Sequence, residues 1–201
     1  MELFPRPRVN LNDFLPHVMA MVSGDSRAPL SPNVAVSYIR RAAIRFATDS
    51  AVLVRTENVA LQDGMDHYPL TFDADNEIPY ALLSAKQGHC DVEASLVDDV
   101  VALGCSVGNN HSVAVKFSVI PTHNACNVDS LLMDRYHDAI VSGALEQIHL
   151  MPQKPWTSGA ASERHGATFL KAVASARKKR YQDADGNRPR TVAINPRYSL
   201  R

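Results

Sequence analysis

Two histidines and two cysteines are of the types that bind zinc, namely His89, Cys90, His123 and Cys126. Protein zinc sites usually contain a close ligand pair such as C-x-x-C or H-x-x-x-H, and this sequence has neither. Cys126 beside His123 is also a weak candidate nucleophile, because nothing in the sequence marks an oxyanion hole. The four residues therefore predict no metal site and no covalent catalysis.

Two acidic stretches begin with the alternating acidic residues that open a calcium-binding loop. The first is Asp73–Glu77, but Ile78 stands where such a loop needs glycine and Ser84 stands where it needs the closing glutamate. The second, Asp183–Asn187, is truncated in a similar way. Both stretches are therefore predicted to be solvated turns.

Other candidate chemistry is equally incomplete. The segment Gly104–Gly108 has no lysine for a phosphate, and His137 and His149 do not have the i,i+4 spacing of a helical metal pair. The sequence thus predicts a protein that is not an enzyme, with no catalytic residue, no metal and no cofactor. The alternative is a hydrolase, whose polar groups would come from residues such as Asp73, Asp75, His89 and His123.

Charge is unevenly distributed along a chain whose formal net charge is zero. Acidic residues dominate 57–99, whereas the C-terminal region is basic, with four consecutive cations in Arg177–Arg180. This segregation indicates head-to-tail self-association, or a basic tail that reaches an acidic partner. We assign an intersubunit or DNA-channel role, as a hypothesis, to Arg40, Arg41, Arg45, Lys178, Lys179 and Arg180. A nucleic-acid-binding protein using the basic C-terminal region is a second alternative, although no recognition motif supports it.

Length and composition limit the class of protein. A chain of 201 residues suits one domain with appendages. No apolar run is long enough for a membrane span, and the first ten residues have no apolar signal-peptide core. The three cysteines are odd in number and widely spaced, which is typical of reduced thiols in the cytosol.

The pattern of apolar residues predicts an α+β fold. A helix is expected at about 31–50, where Ser31 and Pro32 suit its start. Short β-branched runs over about 51–123 predict an inserted antiparallel β region, with Asn109-Asn110 at a hairpin tip. Two further helices, about 129–151 and 158–181, are expected to form an antiparallel hairpin around the short link at Pro152. The first ten residues are expected to form an extended arm. Residues 1–182 would be a single domain and residues 183–201 an extended C-terminal arm.

The predicted C-terminal hairpin carries most of the helical signal. Its first helix has apolar residues at a spacing of four, at Leu132, Tyr136, Ile140, Ala144 and Ile148, which places them on one stripe. In this interpretation the N-terminal helix and the hairpin together form the helical core, and the small residues of the hairpin allow other helices to approach closely.

Several segments resemble a known family. The stretches 133–156 (MDRYHDAIVSGALEQIHLMPQKPW) and 165–179 (HGATFLKAVASARKK) are similar to the C-terminal helical region of head-to-tail adaptor (connector) proteins of tailed bacteriophages, especially the short-tailed, podovirus type. Residues 14–53 resemble the N-terminal part of that family, and SVAVKFSVIPTH resembles its last β-strand before the helices. The resemblance covers roughly Phe14 to Lys179, which is most of the chain.

The resemblance implies a structural role in the virion. Such adaptors form a ring of twelve copies beneath the portal, extend the DNA channel, and offer a platform to the next tail component. The implied partners are the portal protein, a tail or nozzle protein, other copies of this chain and, non-specifically, packaged DNA, without a membrane. The protein would be made in the host cytoplasm and reside at the head–tail interface. In the same context, the alternative is a virion-associated or infection-stage hydrolase. We assign the portal contact, as a hypothesis, to the tail residues Arg188, Arg190, Val192, Ile194, Arg197, Tyr198 and Leu200.

Overall fold

The computed structural model describes residues 7–22, 29–62, 65–104 and 112–183, which form a mixed α+β fold. Its helices are α1 (Leu15–Val22), α2 (Pro32–Ser50), α3 (Ser130–Ile148) and α4 (Gly159–Asp183), and a 3-10 helix, Leu11–Phe14, precedes α1. Its strands are β1 (Arg8–Asn10), β2 (Val54–Ala60), β3 (His67–Pro69), β4 (Glu77–Gln87), β5 (Cys90–Asp91), β6 (Ala94–Val97), β7 (Val100–Leu103), β8 (Ser112–Pro121) and β9 (Asn127–Asp129).

Helix α2 corresponds to the helix expected at 31–50. Ser31 has the extended backbone of a helix N-cap (φ −65°, ψ 132°), and Pro32 follows at the first helical position, where its missing N–H costs no hydrogen bond. The helix ends at Ala51, which adopts a left-handed conformation (φ 49°) and donates its N–H to the Ala47 carbonyl oxygen. The apolar residues Ala35, Ile39, Ala42, Ala43 and Phe46 are buried on one face of α2.

The described strands form three antiparallel sheets. The largest has the order β2-β8-β4-β5, so β8 lies inside the sheet with a partner on each side. Along β8 the side chains Val113, Val115, Phe117 and Val119 alternate with their neighbours and are fully buried, and this face of the sheet packs against α2. A second sheet has the order β3-β7-β6, and a third pairs β1 with β9.

Three helices also meet in the core, because α2 packs against both α3 and α4, which also pack against each other. Phe169 of α4 is fully buried and meets Phe46 of α2 edge-on, with ring centroids 5.9 Å apart. Gly143 of α3 makes this approach possible, since a Cβ there would lie 2.6 Å from the Phe169 ring and 3.1 Å from Ala42 Cβ.

The predicted helical core is wrong in its arrangement. The backbone of α3 leaves helical geometry at Tyr136 (φ −127°, ψ 16°), so the stripe expected from Leu132 to Ile148 is not one continuous helical face. Because α2 packs against both helices, and more extensively against α3 than against α4, these two helices do not form a separate C-terminal hairpin around which the chain is organised. Strand β8 also contributes five buried apolar side chains to the same core, so the core is not purely helical.

The predicted β region and N-terminal arm also need correction. The stretch 51–123 does not form one inserted sheet, because its strands divide between two sheets. Part of the expected N-terminal arm is strand β1, which pairs with β9 directly before α3. Strand pairing of this kind depends on long-range contacts that local periodicity does not encode. The predicted turn at Asn109-Asn110 and nearly all of the arm over 183–201 lie outside the described residues.

Substituting Gly143 with alanine tests the close packing of α3. The added methyl group would overlap the buried Phe169 ring, so Gly143→Ala should lower the free energy of unfolding by about 1–3 kcal/mol. Urea unfolding followed by circular dichroism measures the change. Gly159→Ala is the matched control, because a Cβ there meets nothing within 4 Å. A Gly143→Ala protein as stable as that control would contradict the packing described here.

Candidate interaction surfaces and a buried ion network

Two buried carboxylates and two arginines form a buried ion network, defined by Arg8, Arg55, Glu77 and Asp129. Glu77 and Asp129 are each only 1% exposed. The Arg55 Nη2 donates to Glu77 Oε1 at 2.5 Å and to Asp129 Oδ2 at 2.9 Å. Arg8 reaches the same Glu77 Oε1 through Nη1 at 2.8 Å. Each buried negative charge thus has a guanidinium partner, which buried charges require.

The network joins four elements that are distant in the sequence. Arg8 comes from β1, Arg55 from β2, Glu77 from the start of β4, and Asp129 from the end of β9. Asp129 is also the N-cap of α3, because its Oδ1 accepts a hydrogen bond from the Leu131 N–H at 2.8 Å. Burial alone would lower the pKa of Arg55, but the two carboxylates outweigh it and raise that pKa. The arrangement therefore holds the charges in place and supports a structural role.

The sequence does not predict this network. Its pattern predicts a solvated turn at Glu77, the fifth position of a truncated calcium loop, and an extended arm at Arg8. One available signal was the interruption of β-branched runs by charged residues at Arg55 and Glu77, since a charge at an inward strand position needs a buried partner. The sequence could not show which partner each charge has.

The Asp73 loop is a turn that faces an arginine. The Asn76 N–H donates to the Asp73 carbonyl oxygen at 3.0 Å, and the Asn76 side-chain amide donates to Asp73 Oδ2 at 2.9 Å. Arg8 Nη2 lies 3.1 Å from that same carboxylate oxygen. In the described ranges, no three histidine, cysteine, aspartate or glutamate side chains are grouped so as to hold a metal ion. The residues Ala184–Asn187 of the second acidic stretch lie outside those ranges.

The candidate zinc residues occupy different places in the fold. Cys90 is exposed in β5 at one edge of the four-stranded sheet, next to the exposed His89. Cys126 is exposed just before β9, and its sulfur is 3.8 Å from the Asn124 carbonyl oxygen. These contacts indicate surface thiols in turns or at a sheet edge.

The helical histidines contact other rings. His137 stacks on Phe14 with ring centroids 5.3 Å apart and meets His17 edge-on at 4.3 Å. His149, at the end of α3, has its Nδ1 2.7 Å from the Trp156 carbonyl oxygen, so Nδ1 is the protonated, donating nitrogen. The His149 ring is parallel to that of His165 on α4, with centroids 5.5 Å apart. Burial lowers the pKa of His165, and the nearby His149 and Arg164 lower it further.

The predicted arginine surface of α2 is largely engaged within the chain. Arg40 donates from Nε to the Ala125 carbonyl oxygen at 2.8 Å. Arg45 forms a 2.7 Å ion pair with Glu146 of α3 and lies over the Phe169 ring, 4.6 Å from its centroid. Arg41 is exposed, with its guanidinium 5.4 Å from the Tyr38 ring centroid. Of these three arginines, Arg41 is the most accessible to a partner.

The cations at the C-terminal end of α4 also differ in whether other parts of the chain engage them. Arg177 donates from Nε to the Asp49 carbonyl oxygen at 3.0 Å, where it satisfies an acceptor in the last turn of α2. Arg180 is half-buried and lies over the Tyr181 ring at 4.3 Å. Lys178 and Lys179 are exposed and remain available to a partner. The tail residues assigned to portal binding, Arg188 to Leu200, lie outside the described residues.

Comparisons with known proteins assign no family: no protein-family model matches the chain, and no curated protein matches it. Among the helices of the described segments, none is long and apolar enough to cross a lipid bilayer. Any assignment of function therefore depends on the sequence resemblance and on the surfaces described above.

Removing the Glu77 carboxylate tests the buried ion network. Glu77→Ala leaves the partly buried guanidinium groups of Arg8 and Arg55 with one carboxylate partner fewer, so the free energy of unfolding should fall by about 3 kcal/mol, the lower end for a broken buried pair. Urea unfolding measures the loss, and Glu77→Gln provides a milder variant of the same shape. Asp75→Ala is the control, because this acid two positions away is exposed. Equal stability of Glu77→Ala and Asp75→Ala would contradict the structural role.

The histidine pair predicts a pH dependence of stability. The folded-state pKa of His165 lies below its unfolded value of about 6.5, so the unfolded chain takes up the proton first as the pH falls. The neutral form's contribution to stability is thus present above about pH 6.5 and is lost as the pH falls through the folded pKa. When urea unfolding is measured between pH 7.5 and 5, the free energy of unfolding should fall less steeply with decreasing pH for His165→Gln than for the wild type. His89→Gln, at an exposed site, is the matched control, and an equally flattened slope in that variant would count against His165 as the cause.

Proposed function

We propose that this protein is a structural virion protein, a head–tail adaptor of a tailed bacteriophage that forms a ring beneath the portal and continues the DNA channel. The proposal starts from the sequence resemblance over roughly Phe14 to Lys179. Its structural support is the separation of exposed charge: cations on the outer side of α4, and acids around the β6–β7 turn. Opposite charges on distant parts of one chain favour contacts between successive copies.

Successive contacts of this kind produce a closed ring when the rotation between copies closes. In the proposed ring, the portal protein binds one side, a tail or nozzle protein binds the other, and the resemblance implies twelve copies. A weak contact to the portal that is repeated around the ring becomes a strong attachment without any single tight site. The protein would act through these repeated contacts rather than through catalysis.

A nucleic-acid-binding function is the second candidate, and the exposed cations of α4 favour it. Arg164, Lys171 and Lys178 recur every seven residues, and such a row could contact phosphates. Measurement of DNA affinity against salt concentration separates the two candidates. A free protein that binds duplex DNA tightly at low concentration, with a steep loss of affinity on adding salt, would favour this function over the adaptor.

The proposed portal contact can be tested by deleting residues 188–201. The truncated protein should stay folded, with an unchanged circular dichroism spectrum, but should fail to join procapsids that contain portal rings. The measurement is the mass of protein that co-sediments with those procapsids. A full-length variant with residues 188–201 in scrambled order keeps the same charge, and it should also fail if the contact depends on sequence. Normal attachment of the truncated protein would refute the assignment of the portal contact to this tail.

A further inference from the structure

One face of α4 points away from the rest of the described structure. Phe169, Val173 and Ala176 are buried against the other helices, and helical periodicity places a second set of side chains on the opposite side. We call this set the α4 outer face; it consists of Arg164, Ala167, Leu170, Lys171, Ala174 and Lys178, all exposed. Leu170 is 54% exposed although it is a large apolar residue.

The α4 outer face combines a row of charge with a shallow apolar strip. Arg164, Lys171 and Lys178 are seven residues apart, about 10.5 Å along the helix, and so lie nearly in line. Ala167 and Ala174 are also seven residues apart, and their small side chains leave a shallow depression beside Leu170. A protruding group with an apolar side chain and negative charge would match this surface in both shape and charge.

The turn between β6 and β7 has those properties. Val97 and Val100 are paired across the two strands, and Asp98 and Asp99 form the turn between them. Val97 is 51% exposed, and Asp98 adopts a left-handed conformation (φ 56°), which aspartate and asparagine tolerate better than most residues. We call Val97, Asp98 and Asp99 the β6–β7 tip. It presents one apolar side chain beside two exposed carboxylates.

Neither surface has its charge neutralised within the described residues. No ion pair joins the carboxylates of Asp98 or Asp99 to a cation there, and none joins Arg164, Lys171 or Lys178 to an acid. Helix α4 packs against α2 and α3, whereas β6 packs against β7 and β4. The two surfaces thus belong to different parts of the fold.

We infer that the β6–β7 tip of one copy docks on the α4 outer face of the next copy, with Val97 beside Leu170 and the alanines, and with Asp98 and Asp99 facing Lys171 and Lys178. This inference rests on the proposed ring function and names the contact between its copies. The contact is head-to-tail, because it joins two different surfaces, and each copy keeps one free surface of each kind for the next neighbour. Duplex DNA is the competing occupant of the α4 outer face.

Charge reversal on each surface separately provides the test. The first variant is Lys171→Glu/Lys178→Glu, and the second is Asp98→Asn/Asp99→Lys, in which asparagine suits the left-handed backbone at position 98. Each variant alone brings like charges together at the contact, so self-association should weaken by about tenfold or more. In an equimolar mixture, each variant offers the surface that the other lacks, and association should return. Lys116→Glu/Lys154→Glu reverses two exposed cations elsewhere and is the matched control.

Copy number is measured by native mass spectrometry, with the full-length protein alone and with portal rings, after circular dichroism has shown that each variant is folded. The contact is supported if each variant alone loses self-association, the mixture recovers it, and the control variant self-associates like the wild type. If both variants alone assemble as well as the wild type, the contact is overturned and the ring function is left intact. Failure of the wild type to associate with itself or with portal overturns the ring function as well. If the first variant loses affinity for duplex DNA and the mixture recovers no self-association, DNA is the occupant and the contact between copies is refuted.

Discussion

The structure depends on the neutralisation of two carboxylates that water does not reach. Transfer of Glu77 and Asp129 from water to the interior costs several kcal/mol per charge, and only well-placed guanidinium groups offset such a cost. Arg55 bridges both acids from within the four-stranded sheet. The chain near Arg8 must therefore lie beside β9, and α3 must begin where Asp129 can cap it. One electrostatic requirement thus determines where the first strand, the largest sheet and the third helix meet.

Apolar packing determines the other half of the molecule. The absence of a side chain at Gly143 lets the Phe169 ring approach α3 closely, and Phe46 meets the same ring from α2. This packing commits one side of α4 to the core and directs the opposite side, with its cations, outwards. The surface that we propose for contact between copies is therefore a consequence of where the core holds the helix. In that sense the proposed assembly depends on the interior as much as on surface charge.

The parts of the fold that could be predicted from the sequence are those encoded locally. Ser31-Pro32 marks the start of α2, and the alternation from Val113 to Val119 marks β8, because both signals lie within a few neighbouring residues. The division of the strands into three sheets, and the pairing of β1 with β9, depend on contacts between distant residues and could not be read in this way. The break at Tyr136 could not be predicted either, because the spacing of four from Leu132 to Tyr136 and from Tyr136 to Ile140 fits a regular helix.

The candidate surfaces could likewise be predicted from the sequence only in part. Counting cations along the chain identified Arg40, Arg45, Lys178 and Lys179, but it could not show that the first two are engaged by Ala125 and Glu146. The outward row on α4 required knowledge of which helical face is buried. The acids of the β6–β7 tip were visible only as part of a long acidic stretch, because their prominence depends on the turn that holds them.

The pairing of β1 with β9 also has a consequence for synthesis on the ribosome. Asn10 and its partner Asn127 are 117 positions apart, so the first strand leaves the ribosome long before its partner exists. At roughly 5–20 residues per second, that interval lasts about 6–23 s. From the moment Glu77 has been added, the nascent chain contains this acid without the β1–β9 pairing that holds Arg8 beside it. The final arrangement of the amino-terminal segment is thus a late event, completed only as the third helix begins to emerge.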